Sequence, residues 1–200
     1  MVAASGRSST DDQILERYAR HEAALEMGPY QPYRAVLAGS LLALGHELGV
    51  ELSPNELAGF AGSVVRWPAF DDSTAALAAL SDRFRLGVIT NCDDDLFSAS
   101  SAKLGSPFQW VVTAQQVRAY KPSQVPFERA LEMIGLPTDR ILHVAQSLYH
   151  DHVPAQALGL ATVWVDRRHD RPGFGATPAA VATPDLTVPD LASLAAMAAA

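Results

Sequence analysis

The chain has 200 residues, 48% of them hydrophobic and 18% charged, which is enough apolar material for a substantial core and too much for a disordered polymer. A formal net charge of −7 argues against a nucleic-acid or anionic-membrane partner. No apolar run approaches the roughly 20 residues that a bilayer crossing needs. The start lacks the basic flank and apolar stretch of a secretory signal, and the lone Cys92 forms no internal disulfide, so a reducing cytoplasm is the expected location.

The first third reads as helices, with no strand expected before residue 80. Ile14, Tyr18 and Leu25 share a helical face behind the capping-rich Ser9-Thr10-Asp11-Asp12. A second helix follows Pro32, carries Val36, Leu37, Leu41, Leu44 and Leu48, and ends at Gly49. A third opens on Ser53-Pro54-Asn55-Glu56, with serine as cap, proline at the first helical position and glutamate reaching back.

After Trp67-Pro68 strands and helices alternate. The spacing predicts helices over 72–82, 94–104 and 123–134, the last two stopped by Gly105 and Gly135, and a short helix from about Asp151 that ends before Gly159. Strands are predicted over 84–90, 110–112, 141–144 and 161–165. These runs are apolar throughout rather than alternating, as suits strands buried on both faces of a parallel sheet. A Gly/Pro/Ala-rich loop over 170–184 precedes a short strand at 186–188 and an alanine-rich terminal helix. The class is α/β.

In an open parallel sheet, ligands bind at the carboxyl ends of the strands. Those ends supply Thr90-Asn91, then Ala119-Tyr120-Lys121-Pro122, then His143-Val144-Ala145-Gln146-Ser147 running on to Asp151. A hydroxyl, an ammonium and a carboxylate thus arrive at one rim. Singly, each has a plain structural reading: a turn threonine, a solvated lysine, an aspartate capping the helix that starts there. Asp93-Asp94-Asp95 sits at a helix start, which favours capping over metal binding. Cys92 has no evident histidine partner and reads as a packing residue. The six histidines show no zinc spacing. Tyr33 and Arg34 either face a substrate or merely begin the helix after Pro32.

Thr90-Asn91, Lys121-Pro122 and the stretch Leu142-His143-Val144-Ala145-Gln146-Ser147-Leu148-Tyr149-His150-Asp151 resemble the second, third and fourth motifs of the haloacid dehalogenase superfamily, in order and spacing. The last run resembles the type II haloacid dehalogenase branch, and the helices before Trp67 resemble its small helical cap. The resemblance implies a Rossmann-like core with a parallel sheet (residues 68–200), a helical cap (10–67) and an N-terminal remnant (1–9). In that family an aspartate on the first strand attacks the substrate to form an ester, which water hydrolyses. The resemblance assigns catalytic roles to Thr90, Lys121 and Asp151. It assigns substrate contacts to Asn91, Gln146 and Ser147, with Tyr33 and Arg34 on the cap. The lysine would neutralise developing charge. Asp151 would orient that lysine, or hold Mg²⁺ as in the phosphatase branches. Gln146 stands where those phosphatases carry an aspartate, and a neutral amide disfavours the metal.

One motif of the resemblance has no counterpart. Residues 1–9 supply no apolar strand ending in aspartate, and Asp11 and Asp12 match the start of the cap helix instead. The resemblance therefore implies a central first strand, with its nucleophile, lying outside this sequence, through a misplaced start codon or a real loss. Loss of a nucleophile costs about a millionfold in turnover, so the chain as written is expected to be inactive. The absent strand would lie between those ending at Thr90 and at Ala145. Three outcomes are expected for its place: direct pairing of these two strands, a strand donated by a homodimer mate or another partner, or an unstable fragment. The expected function is hydrolysis of a small organic acid halide or phosphate ester. The rival is a pseudoenzyme that serves as a binding module. A receiver-like phosphoacceptor domain shares the threonine and lysine but leaves the helical cap unexplained.

Overall fold

The computed structural model describes residues 9–199; the expected N-terminal remnant, apart from Ser9, lies outside the described residues. Three helices come first: α1 (Asp11–Glu26), α2 (Tyr33–Leu48) and α3 (Pro54–Ala61). Their ends follow the local chemistry. Thr10 and Gln13 close a capping box on α1, and Ser53 and Glu56 close another on α3. Gly49 ends α2 at φ 69°, a left-handed conformation that a side chain would strain.

The α/β part follows, with α4 (Ser73–Ser81), β1 (Leu86–Thr90), α5 (Asp94–Lys103), β2 (Phe108–Thr113), the short α6 (Ala114–Val117) and α7 (Val125–Ile134). Then come β3 (Leu142–Ala145), a π-helical turn (Leu148–His152), α8 (Val153–Ala157), β4 (Ala161–Val165), β5 (Leu186–Val188) and α9 (Leu191–Ala199). Every strand pairing is parallel, as the unbroken apolar runs require. Among the described residues no helix is long and apolar enough to cross a membrane.

The strands form two sheets, β1–β2 and β3–β4–β5. The direct pairing of β1 with β3 therefore does not occur. Lys121 reaches across their carboxyl ends instead, and its Nζ bonds Ile89 O on β1 at 3.0 Å and Asp151 Oδ1 beyond β3 at 2.7 Å. The burial of the strands carries the same message. Val112 on β2 and Val163 on β4 are 1% and 2% exposed, while Leu142 on β3 is 52% exposed and Val88, Ile89 and Val144 are only half-buried. In a continuous sheet the inner strands are the covered ones; here the strands flanking the gap are the open ones. Helix α7 spans the gap from one face, where its Phe127, fully buried, packs with Ile89 of β1 and with Ile141, Leu158 and Leu160 of the other half.

Candidate active site

The rim at the strand ends is built around a buried ion pair. Lys121 and Asp151 have side chains only 12% and 9% exposed, with Nζ and Oδ1 2.7 Å apart. His143, on β3, brings its Nε2 to 3.2 Å from the same Oδ1. Burial alone would raise the Asp151 pKa. The Lys121 ammonium and the His143 contact outweigh it and hold the carboxyl well below the usual range. Asp151 is thus no helix cap. Ser147 plays that part, its Oγ accepting from the His150 backbone N–H at 3.0 Å.

Thr90 ends β1, and its Oγ1 accepts from the Cys92 N–H at 3.2 Å. Asn91 links the two sides of the rim. Its Oδ1 accepts from the Lys121 N–H at 2.8 Å, and its Nδ2 donates to Lys121 O at 3.2 Å and to Glu26 Oε1 at 3.0 Å. Both amide hydrogens are committed within the chain, so Asn91 positions the Lys121 backbone and Glu26. Gln146 accepts from Trp164 Nε1 through its backbone carbonyl at 2.9 Å and lines a separate depression with Leu148, Asp166 and Arg168. His152 is fully buried; its Nε2 carries the proton, because it lies 3.0 Å from Ala145 O, which can only accept.

Tyr33 and Arg34 begin α2 next to the rim, and their backbone N–H groups donate to the two oxygens of Asp93 at 2.8 and 3.1 Å. Asp93, at the start of α5, makes no side-chain cap there and closes α2 instead. This departs from the helix-start reading for Asp93 alone, since Asp94 and Asp95 do lie in the first turn of α5. Asp95 forms a two-pronged pair with the Arg34 guanidinium, and Asp94 accepts from Gln116. The Tyr33 hydroxyl points to Glu22 Oε1 at 3.0 Å. Cys92 packs against the Leu37/Leu96 cluster, and burial raises its thiol pKa.

Two important groups escape a periodicity reading. Glu22 and Glu26 lie on the buried face of α1, 8% and 9% exposed. Burial, then the charge of Glu26, push the Glu22 carboxyl up to about 7. The signal available in the sequence is the row Tyr18, Glu22, Glu26 at i, i+4, i+8, which puts two acids beside an apolar stripe. Beside Glu26, between the end of α1 and the loop carrying Lys121, lies a cavity of about 310 Å³ lined in part by Tyr30, Arg118, Tyr120, Pro122 and Tyr149.

Known proteins place the chain. A family model described as haloacid dehalogenase-like hydrolase matches residues 63–165. Haloacid dehalogenase-like hydrolase domain-containing protein 3 of Danio rerio is 28% identical over 104 residues, 51% of this chain and 43% of that protein. Haloacetate dehalogenase H-2 of Moraxella sp. (strain B) is 25% identical over 166 residues, 82% of this chain and 71% of that protein. The match thus spans under half of the first relative and more of the second. The solved L-2-haloacid dehalogenase of Xanthobacter autotrophicus superposes with a TM-score of 0.77 at 20% identity, covering 93% of this chain and 85% of that one. At that identity the likeness is one of fold.

Proposed function

The chain belongs to the haloacid dehalogenase-like hydrolases, and from that membership we propose that its rim serves the hydrolysis of a small organic acid halide or phosphate ester through an aspartyl ester. The observation that carries this reading is the buried Lys121–Asp151 pair at the strand ends, set beside the gap between β1 and β3. An ammonium fixed in a dry site by a carboxylate is a preorganised charge for an anionic reacting group. In the proposed reaction a carboxylate oxygen attacks the substrate carbon or phosphorus. The halide or alkoxide leaves with the electron pair of the broken bond. Water then hydrolyses the ester, restoring the carboxylate and releasing the hydroxy acid or phosphate.

The attacking aspartate is assigned to a strand between β1 and β3 that none of the described strands provides. Thr90 faces the leaving or transferred group, Lys121 neutralises charge, and Asp151 orients Lys121. Asn91 is a positioning residue, and Ser147 holds the turn that presents Asp151. Helices α1–α3, residues 10–67, act as the cap over a core of 68–200, with Tyr33 and Arg34 fixing the cap to Asp93 and Asp95. The donor set suits Mg²⁺ poorly. Asp151 Oδ1 is already engaged by Lys121 and His143, and Gln146 offers a neutral amide where a hard dication wants charged oxygens.

The pseudoenzyme reading rests on the described residues' lack of an assigned nucleophile. The test is halide release from 2-chloropropionate and phosphate release from p-nitrophenyl phosphate by protein isolated from its native host, alongside Lys121→Met. Release that the variant lowers at least a hundredfold supports the hydrolase. Release unchanged by the variant, or none at all, removes this reading, and the second result favours a binding module.

A further inference from the structure

Glu26 is badly placed for the stability of its own helix. It closes α1, where the carbonyl-rich end repels a negative charge, and its side chain is only 3% exposed. An apolar side chain of similar size would pack there without either penalty. What the carboxylate gains is contact with two separate parts of the rim. Its Oε1 accepts from Asn91 Nδ2 at 3.0 Å, in the loop that follows β1. Its Oε2 stands 3.3 Å from Nε2 of His150, in the π-helical turn that follows β3. This second contact is electrostatic rather than a directed hydrogen bond. Its polarity is set from the far side of the ring. The Ser147 oxygen accepts the His150 backbone N–H and lies 3.2 Å from His150 Nδ1. The serine hydrogen therefore goes to Nδ1, and the ring proton sits on Nε2, facing the acid.

The two contacts lie on opposite sides of the separation between β1 and β3. Lys121 makes a second bridge over it, from Ile89 O to Asp151 Oδ1. The bridges are joined. Asn91 gives one amide hydrogen to Glu26 and the other to Lys121 O, and it accepts the Lys121 N–H. His150 directly precedes Asp151 in the turn. The backbone of Lys121 and the carboxylate that pairs with its ammonium are thus both tied, at one remove, to the same side chain of α1. Glu22, one turn earlier, has another task. Its carboxyl accepts from the Tyr18 and Tyr33 hydroxyls at 3.2 and 3.0 Å, within α1 and α2.

We propose that Glu26 is a positioning residue that ties the Asn91 loop to the His150 turn and so holds Lys121 and Asp151 in register. The order of the rim then depends on the seating of α1 against it. The inference rests on the hydrolase reading for the task of Lys121, the charge that meets the reacting group. Glu26 itself touches no reacting atom.

The experiment is proton–nitrogen NMR of the Lys121 side-chain ammonium in the whole chain. Its hydrogen exchange with water reports how firmly Nζ is held, and the backbone amide of the buried Val112 reports global stability. A merely structural loss speeds exchange at Val112 and leaves the ammonium of folded molecules as it was. Glu26→Ala, which cuts both ties, is expected to speed ammonium exchange about tenfold. Glu26→Gln keeps a carbonyl for Asn91 and removes the charge facing His150, and is expected to speed it about threefold. The glutamine variant decides alone if the alanine variant does not fold. Glu22→Gln, on the same helix, is expected to leave the ammonium within about twofold of the unaltered chain. Ammonium exchange unmoved by the Glu26 variants, an equal effect of Glu22→Gln, or no protected Lys121 ammonium in the unaltered chain would each overturn the inference. None of these readouts needs turnover. The expected exchange pattern without halide or phosphate release removes the hydrolase reading and keeps the tie, and release with unmoved exchange does the reverse.

Discussion

Replacing Lys121 by methionine isolates the pair at the centre of the site. The substitution keeps the length of the stem and removes the ammonium, leaving the buried Asp151 side chain with His143 as its remaining charge-assisted contact. Breaking a buried ion pair from one side costs about 3–5 kcal/mol, because the abandoned charge stays out of water. Against a domain stability of about 5–15 kcal/mol that is a large share. It corresponds to a fall in Tm of about 6–20 °C for a chain of this size. Adding Asp151→Asn removes the stranded charge, so the double variant should recover at least about 2 kcal/mol of the loss. The pH dependence has a definite sign. The folded Asp151 pKa is depressed, so its stabilisation is present above the unfolded value near 3.9 and disappears as pH falls through the lower folded value. In Lys121→Met the stranded carboxylate has its folded pKa raised above the unfolded value, so the deficit of the variant is largest at pH 7 and shrinks as pH falls through that raised pKa. Urea unfolding followed by tryptophan fluorescence at pH 7 and pH 4 reads all of this. A cost for Lys121→Met below about 1 kcal/mol, or a double variant equal to the sum of the singles, would refute the buried-pair argument.

Other consequences are smaller or better known in kind. Glu22 titrates near 7 in the fold against 4.5 in the open chain, so its contribution is present below pH 4.5 and lost as pH rises through 7, by about 1–3 kcal/mol. Glu22→Gln should therefore stabilise the protein at pH 8 and leave it nearly unchanged at pH 4, as read from urea midpoints. Asp93→Ala strips both backbone bonds from the start of α2 and should cost about 2 kcal/mol in the same assay. Arg34→Ala, whose side chain is 40% exposed, should cost less than about 1 kcal/mol. Phe127→Ala, with no exposed surface to begin with, should cost about 3–5 kcal/mol in thermal unfolding and loosen both halves of the sheet from α7.

Much of this architecture is legible in the residue pattern. The capping boxes at Thr10 and Ser53 are local chemistry, and the structure closes both. The unbroken apolar runs around Val88, Val112, Val144 and Val163 become parallel strands within a residue or two of their expected limits. The rim residues Lys121 and Asp151 meet because each follows a strand end. What stays hidden depends on packing between distant segments. The two glutamates of α1 look like ordinary surface acids until α1 lies against the Asn91 loop. Asp93 is read as the cap of its own helix, but its carboxylate serves α2, some 60 residues away in sequence. The separation of β1 from β3 is beyond local patterning, since each strand reads alike whether its neighbour is present or absent; only the family resemblance pointed to a strand missing there.

The central claim is covalent hydrolysis at the Lys121 rim, and the most direct test is the intact mass of the native-host protein before and after rapid acid quench with 2-chloropropionate or p-nitrophenyl phosphate. The account predicts that the quenched sample carries a covalent substrate adduct. It also predicts, on quench, an added mass equal to substrate minus leaving group on the nucleophile-bearing chain. A protein that gains no mass and releases neither halide nor phosphate would contradict it.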